Sequence, residues 1–182
     1  VFVLVFSLTM SIGCTLAWIH TSTNEVVNTF EYGDVNITLT ESEFNWDGND
    51  DGNANTNKYL LVPGDVLNKN PAVTVKGANN AVACWLFIKV EKTNNPDAYL
   101  AYKIDSDWTP LNGVDGVYYR AVSASSSDQT FGILVAGTHT VSSINYSWAD
   151  DQVLVKPEVT KAQLNALGSN YPTLTFTAFA VQ

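Results

Sequence analysis

Positive charge is scarce in this sequence. Lys and Arg together number 9 against 18 Asp and Glu, a net charge of −9 with histidine neutral. That balance removes the basic face that nucleic-acid binding requires, and it opposes adsorption to anionic lipid. Histidine and cysteine are scarcer still, with 2 of each, too few for a transition-metal centre built from several ligands. The chain also lacks H-E-x-x-H, G-x-S-x-G and a phosphate-cradling glycine loop ahead of a helix, which removes the motif-borne routes to zinc, serine and phosphoryl chemistry. Charged residues of both signs reach only 15%, against the usual ~25%. Asn, Thr, Ser and Gly must therefore cover the surface, a profile that suits a secreted β protein. Apolar residues are not lacking: they make up 46%, and aromatics 12%, of 182 residues. That is ample for one core in one domain.

The apolar residues are unevenly spread. Residues 1–17 (VFVLVFSLTMSIGCTLA) form an uncharged apolar run, at the lower limit for a membrane span and a good length for a signal peptide. Thr15-Leu16-Ala17 provides the small residues that a signal peptidase reads. Cleavage is expected after Ala17, leaving Trp18 first. The alternatives are a retained leader, which would have to be buried in a membrane or a neighbouring subunit, and a lipoprotein acylated at Cys14, where Ser11 departs from the usual lipobox. The expected location is extracellular or at the cell surface, with the membrane met only transiently through the leader and no nucleic-acid partner. Cys84, in AVACWLFIKV, reads as a buried thiol.

Beyond the leader, period-two alternation of β-branched and aromatic residues dominates. Residues 25–32 (EVVNTFEY) are strand-like, and Val35, Ile37 and Leu39 share one face of 35–40. Further strands are expected over 59–62, 72–75, 82–90, 100–104, 117–122, 131–135, 138–141, 153–155 and 173–181, with a turn at Pro63-Gly64-Asp65. The nearly continuous apolar run 82–90 (VACWLFIKV) predicts a central strand covered on both faces, with Trp85 in the core. Phe87 and Phe176 are expected as buried core residues. Trp46 and Trp148 adjoin polar segments and are the candidate ligand platforms. One helix is expected: Thr160 and Gln163 form a capping box and Gly168 a stop, with Leu164 and Leu167 plugging an end of the core. Glu41 and Glu43 read as solvated charges at a strand end. About ten short strands separated by turn residues make an all-β sandwich with one short helix near the C-terminus. The expected division is a leader over 1–17, a separate strand over 18–30 and one domain over 31–182.

Order and spacing along nearly the whole chain resemble a known family. The stretch GCTLAWIHTSTNEVVNTFEYGDVNITLTES, then YLLVPG at 59–64, Pro71 to Val75, the strand at 82–91, Trp108, GVYYR at 116–120 and PTLTFTAFAVQ at 172–182 are similar to the TasA- and camelysin-type secreted fibre subunits with SipW-type signal peptides. Cys14 departs from the glycine common there. The resemblance implies a jelly-roll-like β-sandwich that is exported and polymerises with copies of itself, without catalysis. It also implies donor-strand exchange, in which an amino-terminal segment completes a neighbour's sheet. The donor would lie within 18–28, with Trp18, Ile19, Val26 and Val27 filling pockets; a retained leader would instead offer residues 1–10. The rival readings are a monomeric calcium- or glycan-binding surface module, and a camelysin-like metallopeptidase, for which His20 and His139 are a poor ligand set.

Residues 45–57 (NWDGNDDGNANTN) form a polar insert. Asp47, Asn49, Asp51 and Asn53 follow the spacing of a calcium loop with Gly52 at its sixth position, but Lys58 stands where a bidentate Glu belongs. Asp50 or Glu43 would have to substitute. No other cofactor is expected, and the competing reading is a solvated turn. If the loop binds an ion, these hard oxygen donors select calcium. Titration calorimetry should then show calcium heat that Asp47→Ala and Asp51→Ala abolish; absence of heat and of any change in melting temperature would leave only the polar turn.

Overall fold

The computed structural model describes residues 33–44 and 57–182, and the β alternation is realised across them. The strands are β1 Ile37–Thr40, β2 Val66–Asn68, β3 Ala72–Val75, β4 Cys84–Thr93, β5 Leu100–Ala101, β6 Thr109–Pro110, β7 Val117–Val122, β8 Gln129–Gly132, β9 Gly137–Val141, β10 Ile144–Trp148, β11 Gln152–Val155 and β12 Thr173–Val181. The single α-helix among these residues, α1 (Lys161–Leu167), starts where the capping box puts it. Gln163 N donates to Thr160 Oγ1, and Thr160 N donates back to Gln163 Oε1. Pro63 and Gly64 form the expected turn, closed by Asp65 N donating to Val62 O, and Gly64 has the φ of +89° that favours glycine there.

All strand pairs named here are antiparallel, as the alternating pattern requires. Four strands order as β12-β4-β7-β6, and three as β1-β3-β8. Their inner faces supply one apolar core. Val73 and Val75 of β3 join Cys84, Leu86 and Ile88 of β4 and Val122 of β7, with Ile37, Leu39, Phe131, Phe176, Ala178 and Ala180 packed against them. This is the sandwich. A third sheet, β2-β11-β5, brings Val153 and Leu67 to the same core, and β9 and β10 form a separate hairpin. Arg120 also points inward. Its guanidinium carbon lies 4.0 Å from the Phe131 ring centroid and 5.4 Å from that of Trp108, so cation–π stacking accompanies its 3.5 Å ion pair with Asp107.

Several expectations change. β4 is not covered on both faces: Cys84, Leu86, Ile88 and Val90 are buried, but Trp85 is 49% exposed and Phe87 half-buried. An apolar run reports the residue types of both faces, not what lies over them. Trp85 is therefore not a core residue. Trp148 is: it is buried, donates Nε1–H to Val135 O, and packs where a Cβ on Gly137 would collide with its ring, so it cannot serve as a ligand platform. β12 is buried only partly; Leu174, Phe176, Ala178 and Ala180 face inward while Phe179 and Val181 are exposed. Leu164 and Leu167 are half-buried and α1 has no buried residue, so the helix does not plug an end of the core. Residues 59–62 are not a strand. Cys84 is a buried free thiol, and burial raises its pKa.

These positions set a stability ranking. Ile88→Ala should cost about 2–5 kcal/mol, the range for a fully buried aliphatic side chain. Phe176→Ala should fall within the same range, and Phe87→Ala should cost about half as much or less, because its site already meets solvent. Urea unfolding of the three variants checks the order; Phe87→Ala as the costliest would misplace the inner face of β4.

Candidate functional site

Two strands that end their sheets run beside each other without pairing. Among the described residues, β1 pairs only with β3, and β12 only with β4. The opening between them is a cleft of about 470 Å³, lined by Leu39, Thr40 and Glu41 on one side and by Thr173, Leu174, Thr175 and Phe176 on the other, with Asn57, Lys69 and Pro71 between. Edge strands carry unpaired N–H and C=O groups, so both walls can hydrogen-bond an added strand. The inward alternation of each strand also brings Leu39, Leu174 and Phe176 to the same opening.

A charge pair lies in this cleft, whose lining mixes polar side chains with Leu39, Pro71, Leu174 and Phe176. Lys69 Nζ donates to both carboxylate oxygens of Glu41 at 3.1 Å, and the two side chains are 11% and 15% exposed. The ammonium also sits 5.4 Å from the Phe176 ring centroid and 5.7 Å from that of Tyr59. Tyr59 Oη donates to Glu41 Oε1 at 3.0 Å. Burial first, and then the Glu41 charge, holds the phenol pKa well above its usual value, so Tyr59 stays a proton donor. Charges this poorly hydrated persist only when paired and hydrogen-bonded. Glu41 is thus not the solvated strand-end charge expected from its spacing. Sequence reasoning missed the pair because Lys69, in LNKNP, sits in a loop-like context 28 residues away.

The neck of the 45–56 segment is pinned beside the cleft. Phe44 N donates to Asn57 Oδ1 at 2.7 Å, and Asn57 Nδ2 donates to Ser42 O at 2.9 Å. The Phe44 and Tyr59 rings stack with centroids 5.2 Å apart. Next to this neck is a smaller hollow of about 280 Å³ lined by Ser42, Glu43, Asn68, Asn70, Asp150 and Asp151 among others. Burial, and then Asp150, raises the Asp151 pKa. Among the described residues no group of three or more His, Cys, Asp or Glu side chains is arranged to hold a metal ion. His139 meets one carboxylate, Glu158, at 2.9 Å.

The calcium-loop residues Asp47, Asn49, Asp51 and Asn53 lie outside the described residues, as do the cleavage residue Ala17 and the donor residues Trp18, Ile19, Val26 and Val27. His20 and Trp46 lie outside them too. No helix among the described residues is long and apolar enough to cross a membrane.

Separating the charge pair should weaken the fold at the cleft. Lys69→Met leaves Glu41 with Tyr59 alone and should cost about 3 kcal/mol, the low end for breaking a buried pair. Glu41→Gln keeps an acceptor and should cost about 1–2 kcal/mol. The double variant should cost at least about 1 kcal/mol less than the two losses combined. Chemical denaturation of the full chain gives this cycle, and simple additivity would remove the coupling.

The chain matches no family model, no curated protein and no solved structure.

Proposed function

We propose that this protein is an exported structural subunit of an extracellular fibre or matrix, assembling with copies of itself by strand addition at the β1/β12 cleft. The observation that carries the reading is that cleft: two strand edges without a ladder partner among the described residues, flanking an opening where Leu39, Leu174 and Phe176 lie among polar side chains. An extended segment added there would satisfy the backbone groups of these edges while covering Leu39, Leu174 and Phe176. The cleft is short: the four residues of β12 that line it, Thr173 to Phe176, span about 13 Å at ~3.3 Å per residue, so it would take about four residues of an extended donor within 18–28. Each added backbone hydrogen bond contributes about 1 kcal/mol. A ladder of several, with the apolar contacts of Trp18 and Ile19 or of Val26 and Val27, would hold neighbouring subunits together.

The resemblance to the TasA- and camelysin-type fibre subunits supports the same reading, with export by the apolar leader, a location outside the cell, a homopolymeric assembly and no catalytic step. The low charge content fits such an assembly, since strand addition needs backbone edges rather than ionic patches.

Electron microscopy of the purified chain should show filaments. Deleting residues 1–28 should abolish them while leaving a β-rich circular dichroism spectrum. Leu174→Lys, which puts a charge into the cleft, should slow filament growth at least tenfold. Filaments of normal appearance from the truncated chain would eliminate strand donation.

A further inference from the structure

The sheet β12-β4-β7-β6 turns its other face outward. The registers Val181↔Trp85↔Ala121, Phe179↔Phe87↔Tyr119 and Thr177↔Lys89↔Val117 set three rows across it. Trp85, Phe179 and Val181 are 49%, 51% and 54% exposed. Tyr119 ties the aromatic group together, with ring centroids 5.6 Å from Trp85 and 6.0 Å from Phe87. This is one contiguous patch, unlike the single apolar residues scattered over any surface.

Its charge separates it from the rest of the molecule. The chain carries a net −9, which sets copies against one another. The outward positions of β12, β4 and β7 carry only two ionic groups, Lys89 and Glu91, which pair at 2.6 Å. Two copies that meet here place no unpaired like charges directly against each other, and a Lys89 facing a Glu91 across a two-fold axis is self-complementary. Aromatic anchors of this kind are also the usual centre of an interface. The area limits the strength. Half-exposed aromatics leave roughly 100 Å² each to solvent, so the patch is on the order of 400 Å². A stable interface needs ~800 Å² per partner.

We infer that the outer face of β12-β4-β7 is a homotypic contact surface, through which two copies of this chain dock weakly, sheet against sheet. It is separate from the β1/β12 cleft, which opens at the sheet's edge. Contacts too weak to hold one pair add up when many copies are arrayed, so in a fibre this face becomes the lateral contact between filaments. That last step alone rests on the fibre reading.

The test uses the full chain with Cys14→Ser and a single reporter, Thr177→Cys on the face, or Thr138→Cys on the β9–β10 hairpin as control. A short bismaleimide should yield cross-linked dimer at least fivefold above the control from Thr177→Cys. Adding Trp85→Ser and Phe179→Ser should reduce that yield at least tenfold. Lys89→Glu removes no aromatic ring yet makes two copies repel, and should reduce the yield in a salt-dependent way. Dimer no higher than the control overturns the inference. In that case slow maleimide labelling of Thr177→Cys would show the face covered by the chain itself, and retention on insoluble β-glucan lost with Trp85→Ser would assign it to carbohydrate. Filament formation in the same samples is scored separately. Cross-linking without filaments removes the fibre reading but not this contact; filaments that associate laterally regardless of Trp85 and Phe179 remove its role as the lateral contact.

Discussion

The nine-pair antiparallel ladder between β4 and β12, from Thr93↔Thr173 to Trp85↔Val181, fixes more of this molecule than any other pairing. Because side chains alternate across a sheet, this register sends Leu174, Phe176, Ala178 and Ala180 inward and Phe179 and Val181 outward in one step. A slip of one residue would bury Thr175 and Thr177 and expose Phe176. The same register places Phe176 beneath the Lys69 ammonium and makes β12 a wall of the cleft. Core, cleft and outer face are thus three results of one pairing.

The cleft joins opposites. Its walls are strand edges without a ladder partner among the described residues, and its lining holds Lys69 and Glu41, which pair with each other while Glu41 also accepts from Tyr59. Lys69 Nζ is occupied by both Glu41 oxygens, so the pair is neutralised internally. Among the described residues, the strand edges left without a ladder partner beside it are those of β1 and β12.

Much of the architecture was legible because alternation is a direct consequence of strand geometry. Residues 117–122 were read to the residue, and α1 was readable from two side chains at its start. The hairpin strand β10 was not. Its turn uses Ser142 and Ser143, both at positive φ (48° and 68°), where Asn-Gly would have announced it. β6 is two residues, Thr109–Pro110, and owes its existence to β7 beside it. The error at β4 has a different origin. Trp, Phe and Leu look alike to a hydropathy pattern, yet Leu86 is buried and Trp85 meets water because only one side of the strand faces the second sheet. The site was less legible still. The Glu41–Lys69 pair depends on two loops meeting in space, and no periodicity encodes that. The resemblance implies strand exchange through residues 18–28, but that β1 and β12 end their sheets emerges only from sheet order.

The place of β12 in the chain has a bearing on timing. Its partner β4 is made much earlier, and their contact must wait for everything between them, a non-local pairing of the kind that slows folding. Until residues 173–181 are synthesised, the four-stranded sheet is one strand short and the cleft has only one wall. A nascent chain therefore has no finished cleft, however crowded the surroundings. The cleft comes into being only when β12 joins β4, so anything that needs both of its walls must wait for that pairing.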